Sequence, residues 1–167
     1  MQTIASYFVA AVLWGVPLAS VAQTTTTANF DVTLTVTDSC RVISTAPIAF
    51  PTTGVINANV DATGEIAIEC TPGTSYEVDL SPGLGAGATT SVRRMTGLTD
   101  TSVTVDYAIY QDAARTNIWG EGGAAGDGVG ATGSGSSQSY TTFGRVPPTQ
   151  AVAAQSYKDT VTVTVSY

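Results

Sequence analysis

Reactive side chains are sparse in this sequence, and their types exclude most catalytic arrangements. The 167 residues include no histidine, which removes both the commonest general base and the commonest metal ligand. No Ser-His-Asp triad can therefore form, and the only lysine, Lys158, has no marked serine partner. Asp106 falls in a predicted strand and Asp112 in a predicted turn, where carboxylates usually face solvent or cap the backbone. We predict that the protein is not an enzyme and uses no cofactor or metal ion.

Two weaker binding hypotheses also start from residue types. Residues 122–128 are rich in Gly and carry Asp127, but they lack the repeat and the acid spacing of calcium loops and predict a flexible loop. Trp119, Tyr107, Tyr110 and Tyr140 could line a sugar site, although aromatic residues on strands more often belong to the core. We expect a flexible loop in the first case and aromatic residues of the core in the second.

The charge distribution excludes two classes of partner. The net charge is −7, and the six cationic side chains are scattered along the chain. A nucleic-acid backbone or an anionic membrane surface would require a cluster of positive side chains. We therefore expect no nucleic-acid partner and no binding to a membrane surface.

The N-terminus has the features of an export signal. Residues 4–19 are apolar apart from Ser6 and Gly15, a length typical of a signal peptide and short for a membrane span. Residues 20–22 have the small-x-small pattern of a cleavage site, although no Lys or Arg precedes the apolar run. We predict a signal peptide over residues 1–22, a mature chain that begins at Gln23, and no membrane insertion after cleavage. An uncleaved anchor is the alternative.

Two cysteines, Cys40 and Cys70, remain in the predicted mature chain. Export leads to an oxidising compartment, where such a pair normally forms a disulfide. We predict a Cys40–Cys70 disulfide, with two buried free thiols as the alternative.

Alternating apolar and polar residues predict strands along most of the mature chain. The strands are expected at residues 30–37, 40–43, 65–70, 76–80, 103–110, 139–146 and 158–167. The glycine-rich residues 120–135 are expected to be the least structured part of the domain. About eight short strands and no helix predict one all-β domain in which two antiparallel sheets pack face to face.

The two ends of the mature chain suggest an exchange of strands between molecules. The sequence ends directly after the predicted strand at residues 158–167, so an immunoglobulin-like sandwich would lack its last strand and leave an open groove. Near the other end, a surplus apolar face precedes Cys40. The predicted donor strand consists of Phe30, Val32, Leu34 and Val36, and the predicted edge of the acceptor groove consists of Val161, Val163, Val165 and Tyr167. Strand addition of this kind would join subunits head to tail.

A self-complete sandwich, in which residues 30–37 form the first strand of their own domain, explains the same pattern. The periodicity alone does not separate the two interpretations.

Several longer motifs resemble the spore coat protein U domain family, which includes subunits of archaic chaperone–usher pili of the Csu type. Besides the two cysteines, the motifs are Tyr107 to Tyr110 followed by Asp112 to Asn117, Phe143 to Pro147, and Tyr157 to Tyr167. The resemblance covers nearly the whole mature chain, although Gln155 stands where a glycine is expected.

The resemblance implies an incomplete immunoglobulin-like sandwich that lacks its last strand. It places the donor segment of the family at residues 29–37, and we predict an N-terminal donor segment at residues 23–38 followed by a pilin domain at residues 39–167. The implied partners are identical or related pilin subunits, a periplasmic chaperone and an outer-membrane usher. The implied function is that of a structural subunit of a surface pilus, exported through the periplasm and supporting adhesion and biofilm formation. A secreted spore-coat-type assembly protein and a secreted carbohydrate-binding module are the alternatives.

Overall fold

The computed structural model describes residues 22–122 and 127–167. The predicted signal peptide, apart from Ala22, and the middle of the glycine-rich run lie outside the described residues. The chain divides into two compact units, one ending at Thr35 and the other comprising Val36–Tyr167. Among the described residues, no helix is long and apolar enough to cross a membrane.

The second unit is built from β-strands. Their bounds are β1 Cys40–Ala46, β2 Val60–Cys70, β3 Ser75–Leu80, β4 Arg93–Gly97, β5 Thr104–Tyr110, β6 Val129–Thr132, β7 Gln138–Val146, β8 Tyr157–Lys158 and β9 Val163–Ser166. They form a six-stranded sheet in the order β1-β2-β7-β5-β4-β8 and a three-stranded sheet in the order β6-β3-β9. Every strand pair is antiparallel. The prediction of an all-β fold with two antiparallel sheets is confirmed.

Both sheets contribute apolar side chains to one core. Trp119 is 1% exposed, and its indole Nε1 donates a hydrogen bond of 2.9 Å to the carbonyl oxygen of Val78. The ring of Trp119 meets that of Tyr140 edge to face, with centroids 6.3 Å apart. The other core residues are Ile56, Ile66, Ile68, Cys70, Tyr76, Leu80, Val105, Tyr107, Ile109 and Val146. Trp119 and Tyr107 therefore stabilise the fold and do not form an exposed aromatic platform.

The predicted disulfide is present. The sulfur atoms of Cys40 and Cys70 are bonded, and the same two residues face each other in the pairing of β1 with β2. β1 is the first strand of its sheet and pairs with β2 alone among the described strands. The disulfide therefore fastens an edge strand to its only neighbour.

Three strand predictions need correction. Residues 30–37 were expected to form a strand, but they form none in the structure. Residues 120–135 were expected to form a loop, but Val129–Thr132 pairs with Ser75–Val78 as an edge strand. The segment 158–167 is not one continuous strand, because β8 pairs with β4 while β9 pairs with β3 in the other sheet. The chain therefore changes sheets over residues 159–162.

The Asp112–Asn117 turn is fixed to the six-stranded sheet by charged groups. The Asp112 carboxylate accepts hydrogen bonds from the backbone N–H groups of Thr116 and Asn117, which is the capping role expected for it. Arg115 donates to the carbonyl oxygen of Gly144. Arg115 also lies 3.4 Å from the carboxylate of Asp61.

Candidate functional site

The C-terminal run of residues 157–166 leaves strand edges without a partner. β8 is the last strand of the six-stranded sheet, and β9 is the last strand of the three-stranded sheet. Each pairs on one side only among the described residues. Unpaired N–H and C=O groups on such an edge can accept a further strand.

An open apolar groove, which we call the acceptor groove, runs beside these edges. It consists of two cavities of about 440 and 950 Å³ that share Ile48, Phe50, Met95 and Tyr157 in their linings. One wall is formed by residues 45–56 and the other by residues 150–163, and the floor contains core side chains. These floor residues are Ile66, Leu80, Val105, Tyr107, Ile109 and Val146. The core of the sandwich is therefore accessible along one side.

The first wall is held by two glycines on neighbouring strands. A β-carbon at Gly144 would lie 2.7 Å from Cγ2 of Ile48 and 2.9 Å from Cζ of Phe50. At Gly64, it would lie 3.0 Å from Cγ1 of Ile48 and 2.6 Å from the carbonyl oxygen of Ala46. Only hydrogen at these positions lets the segment lie directly on β2 and β7. The glycines thus bring Ile48 and Phe50 to the groove.

Replacing Gly144 by valine should displace this wall and destabilise the domain by about 1–3 kcal/mol, because no space exists for the added methyl groups. The measurement is the free energy of unfolding in urea. Gly130→Val is the matched control, since Gly130 also lies in a strand but has no atom near its β-carbon position. Equal destabilisation by both substitutions would show that the close packing at Gly144 is unimportant.

The second wall is held by glutamine side chains. The side chain of Gln150 accepts a 2.7 Å hydrogen bond from the N–H of Asp106 and donates one of 2.9 Å to the carbonyl oxygen of Asp106. The side-chain oxygen of Gln155 accepts hydrogen bonds of 2.9 Å from the N–H groups of Thr99 and Asp100. Gln155, where the family pattern leads us to expect glycine, therefore ties the wall to the turn between β4 and β5.

The two walls meet at one end of the groove. Ile56 and Gln150 form an isolated antiparallel bridge, and the N–H of Thr149 donates a 2.7 Å hydrogen bond to the carbonyl oxygen of Ile56. The groove is closed by main chain at this point.

A polar cluster secures the crossing between the sheets. The Tyr107 hydroxyl donates a 2.7 Å hydrogen bond to the Asp159 carboxylate, which also accepts from the N–H groups of Leu84 and Thr160. Burial, and then the hydrogen bond to Asp159, raise the pKa of Tyr107. The phenol therefore stays neutral at physiological pH and remains a hydrogen-bond donor.

Next to this cluster, the fully buried guanidinium of Arg93 connects three segments. It donates hydrogen bonds of 2.8–3.0 Å to the carbonyl oxygens of Leu80, Ser81, Thr90 and Trp119. Burial lowers the pKa of Arg93 from its ordinary value, but an arginine side chain remains protonated. These contacts hold the three segments together beneath the groove floor residue Leu80.

The predicted edge residues lie in different positions. Val161 and Val163 line the groove, whereas Val165 packs against the core. Tyr167 is 63% exposed and lies outside β9. Sequence reasoning missed the opposite wall, where Ile48 and Phe50 alternate between Pro47 and Pro51 in a short extended pattern.

The described part of the N-terminal unit, residues 22–35, contains no strand. Its apolar side chains Phe30, Val32 and Leu34 are between 85% and 88% exposed. Val36, the first residue of the second unit, is 70% exposed. From Thr37 onward the chain is tied down, because Thr71 donates hydrogen bonds from its hydroxyl to the carbonyl oxygens of Thr37 and Ser39.

Comparison with protein families defines the class of this protein. The model of the Spore Coat Protein U domain family matches residues 26–164, and the chain therefore belongs to this family. The resemblance found in the sequence motifs is confirmed.

Two individual relatives can be named. Protein U of Myxococcus xanthus is 30% identical over 116 residues, which are 67% of this chain and 63% of that protein. A chain in the crystal structure of the CsuC–CsuE chaperone–tip adhesion subunit pre-assembly complex, from archaic chaperone–usher Csu pili of Acinetobacter baumannii, matches with a TM-score of 0.59 and 23% identity. That match covers 80% of this chain and 41% of the other, and it establishes a common fold. The chain thus spans less than two thirds of the length of each relative.

Proposed function

We propose that the protein is a structural subunit of a surface pilus that is assembled by the chaperone–usher pathway. In the proposed polymer, residues 23–38 of one subunit enter the acceptor groove of the next. Phe30, Val32, Leu34 and Val36 would then cover its floor, and their main chain would pair with the free edges of residues 157–166.

The observation that carries this proposal is the open apolar groove beside two unpaired strand edges. An exposed core of this kind is a hazard for a secreted protein unless a partner covers it. The same chain carries an exposed segment with apolar side chains at every second position. Burial of each such side chain contributes about 1.5–3 kcal/mol of gross stabilisation. Groove and segment are thus complementary in backbone pairing and in hydrophobicity.

The polymer follows from the asymmetry of this contact. Each subunit offers a donor at one place and a groove at another, so the contact is heterologous and extends into a filament. The filament would persist because dissociation requires the slow removal of a whole strand from a folded domain.

The proposed route of assembly needs two further partners. A periplasmic chaperone would fill the groove before assembly, because an unfilled groove would bind other subunits prematurely. An outer-membrane usher would then exchange the chaperone strand for the donor segment of the next subunit. The subunit would pass through the periplasm to the cell surface, where the pilus supports adhesion and biofilm formation without catalysing a reaction. The structure that contains the matching Csu chain is that of a CsuC–CsuE chaperone–tip adhesion subunit pre-assembly complex.

A secreted coat-type assembly protein is the second candidate. It is favoured by the 30% identity to Protein U, since the family takes its name from a spore coat. A coat component would use the same groove for lateral or short-range assembly. Electron microscopy of the producing cells separates the two, because only the pilus forms long thin fibres.

A peptide-binding experiment tests the proposed function. A chain without residues 23–36 should be unstable alone, and a synthetic peptide of residues 23–38 should raise its melting temperature by about 5–10 °C at a concentration about 100-fold above the dissociation constant. A peptide with aspartate at positions 30 and 34 is the control. If the shortened chain is already as stable as the intact chain and the peptide causes no shift, the groove does not need a strand and the proposal is wrong.

A further inference from the structure

The cation on the rim of the acceptor groove is Lys158, the only lysine of the chain. In the described residues, the ion pairs all involve arginines: Arg41, Arg94, Arg115 and Arg145. The remaining cation, Arg93, has its hydrogen bonds satisfied by four backbone carbonyl oxygens. Lys158 is thus the one cationic side chain without a partner among the described residues.

Alternation along residues 157–166 places Lys158 on the outer face of the wall. Tyr157, Asp159, Val161, Val163 and Val165 are half-buried, whereas Lys158, Thr160, Thr162 and Thr164 are exposed. The outer face of this wall therefore presents a cation followed by threonines.

The donor segment has a matching outer face. Asp31 is the only charged residue between positions 23 and 37. Because side chains alternate along a strand, inserting Phe30 and Val32 into the groove turns Asp31 outward, onto the same face as Lys158. The outward positions that follow are Thr33, Thr35 and Thr37.

The other acids that line the groove do not compete for Lys158. Glu65 accepts a hydrogen bond from Ser139, on the side of β2 that faces β7. Asp159 points inward and is occupied by Tyr107 and by backbone N–H groups.

From this charge complementarity we propose that Asp31 of one subunit pairs with Lys158 of the next, and that this pair sets the register of the inserted strand. The inference rests on the proposed function. A slip of two residues keeps the apolar side chains in the groove, so hydrophobicity alone does not reject it. The slip moves Asp31 by roughly 7 Å and places either Asn29 or Thr33 beside Lys158, depending on its direction. An opposite-charge pair at one position disfavours such slips, because each slip separates the two charges, as in other paired strands.

A charge-swap experiment on the intact chain tests this pair. The variants are Asp31→Lys, Lys158→Asp and the double substitution, each assembled into polymer and then dissociated in urea with 150 mM NaCl. Each single substitution creates a like-charge pair and should accelerate dissociation about two- to tenfold. The double substitution should restore the wild-type rate to within about twofold. The differences should largely disappear in 1 M NaCl, which screens exposed charges.

Thr35→Lys is the off-register control. Position 35 lies roughly 13 Å from position 31 along an extended strand, beyond the screening length of about 8 Å in 150 mM salt. Thr35→Lys alone should therefore dissociate within about twofold of the wild-type rate, and Lys158→Asp should accelerate dissociation to the same degree with or without it.

The outcomes separate this inference from the proposed function. If the double variant dissociates as fast as the single variants, the register pair is wrong and the pilus proposal is unaffected. Failure of the wild-type chain to form any polymer overturns both. Charge rescue in a particle with the mass of one subunit would place the pair within one chain and would overturn the contact between copies.

Discussion

Replacing Leu34 by aspartate is expected to abolish assembly of the polymer. Leu34 is 88% exposed in the single chain, so the substitution should leave the fold of the domain unchanged. In the proposed polymer the same position faces the apolar floor of the groove. The variant loses about 1.5–3 kcal/mol of apolar burial and would also place an unpaired carboxylate there, at a cost of several kcal/mol. Together these terms weaken the contact by more than about 1,000-fold.

Sedimentation of the secreted material and electron microscopy of the cell surface measure this effect. Thr35→Asp is the matched control, since it adds the same charge one residue away, on the polar face of the donor. We expect the control to assemble with at most a tenfold loss. Normal fibres from the Leu34→Asp variant would contradict the assignment of the donor face.

Removal of the disulfide is the second change with a large expected effect. The bond closes a loop with a sequence separation of 30 residues, and its loss by Cys40→Ala and Cys70→Ala should reduce the free energy of unfolding by about 3–4 kcal/mol. The melting temperature should fall by about 8–15 °C. The damage should concentrate at β1, because this edge strand has only β2 as a neighbour and its far end, Thr45 and Ala46, forms part of the groove wall.

Calorimetry with and without dithiothreitol gives the measurement. Reduction of the wild-type chain should reproduce the loss, whereas the double-alanine variant should not respond to the reductant. A reductant effect of equal size in that variant would mean that the disulfide is not the source of the stability.

Much of the fold could be predicted because its strands carry their own local pattern. In β2, the sequence Glu65 to Cys70 alternates between polar and apolar, and in β5 Val105, Tyr107 and Ile109 do the same; all of these apolar residues are buried. The pairing of Cys40 with Cys70 could be predicted from export and from the cysteine count.

Other parts depend on contacts that no local pattern records. β4 contains Arg93 and Arg94, and charged residues of this kind predict positions exposed to solvent. Arg93 is nevertheless fully buried, because four carbonyl oxygens accept its hydrogen bonds. β6 was missed because its glycine-rich surroundings hide a short edge strand.

The same limit applies to the groove. Its C-terminal wall follows from the valines near the end of the chain, so Val161 and Val163 could be predicted. Its other wall requires Gly144 to accommodate Ile48 and Phe50, which are about a hundred residues away in the sequence. A distant glycine that matters only through its lack of a side chain gives no periodic signal.

The bridge between Ile56 and Gln150 has a consequence for the size of what the groove can hold. A groove open at both ends would not limit the length of a bound strand, but one end of the acceptor groove is closed by main chain. Main chain cannot rotate aside as a side chain can, so this end of the groove is fixed. In the proposed polymer, the bridge would stop an inserted segment from extending past this point.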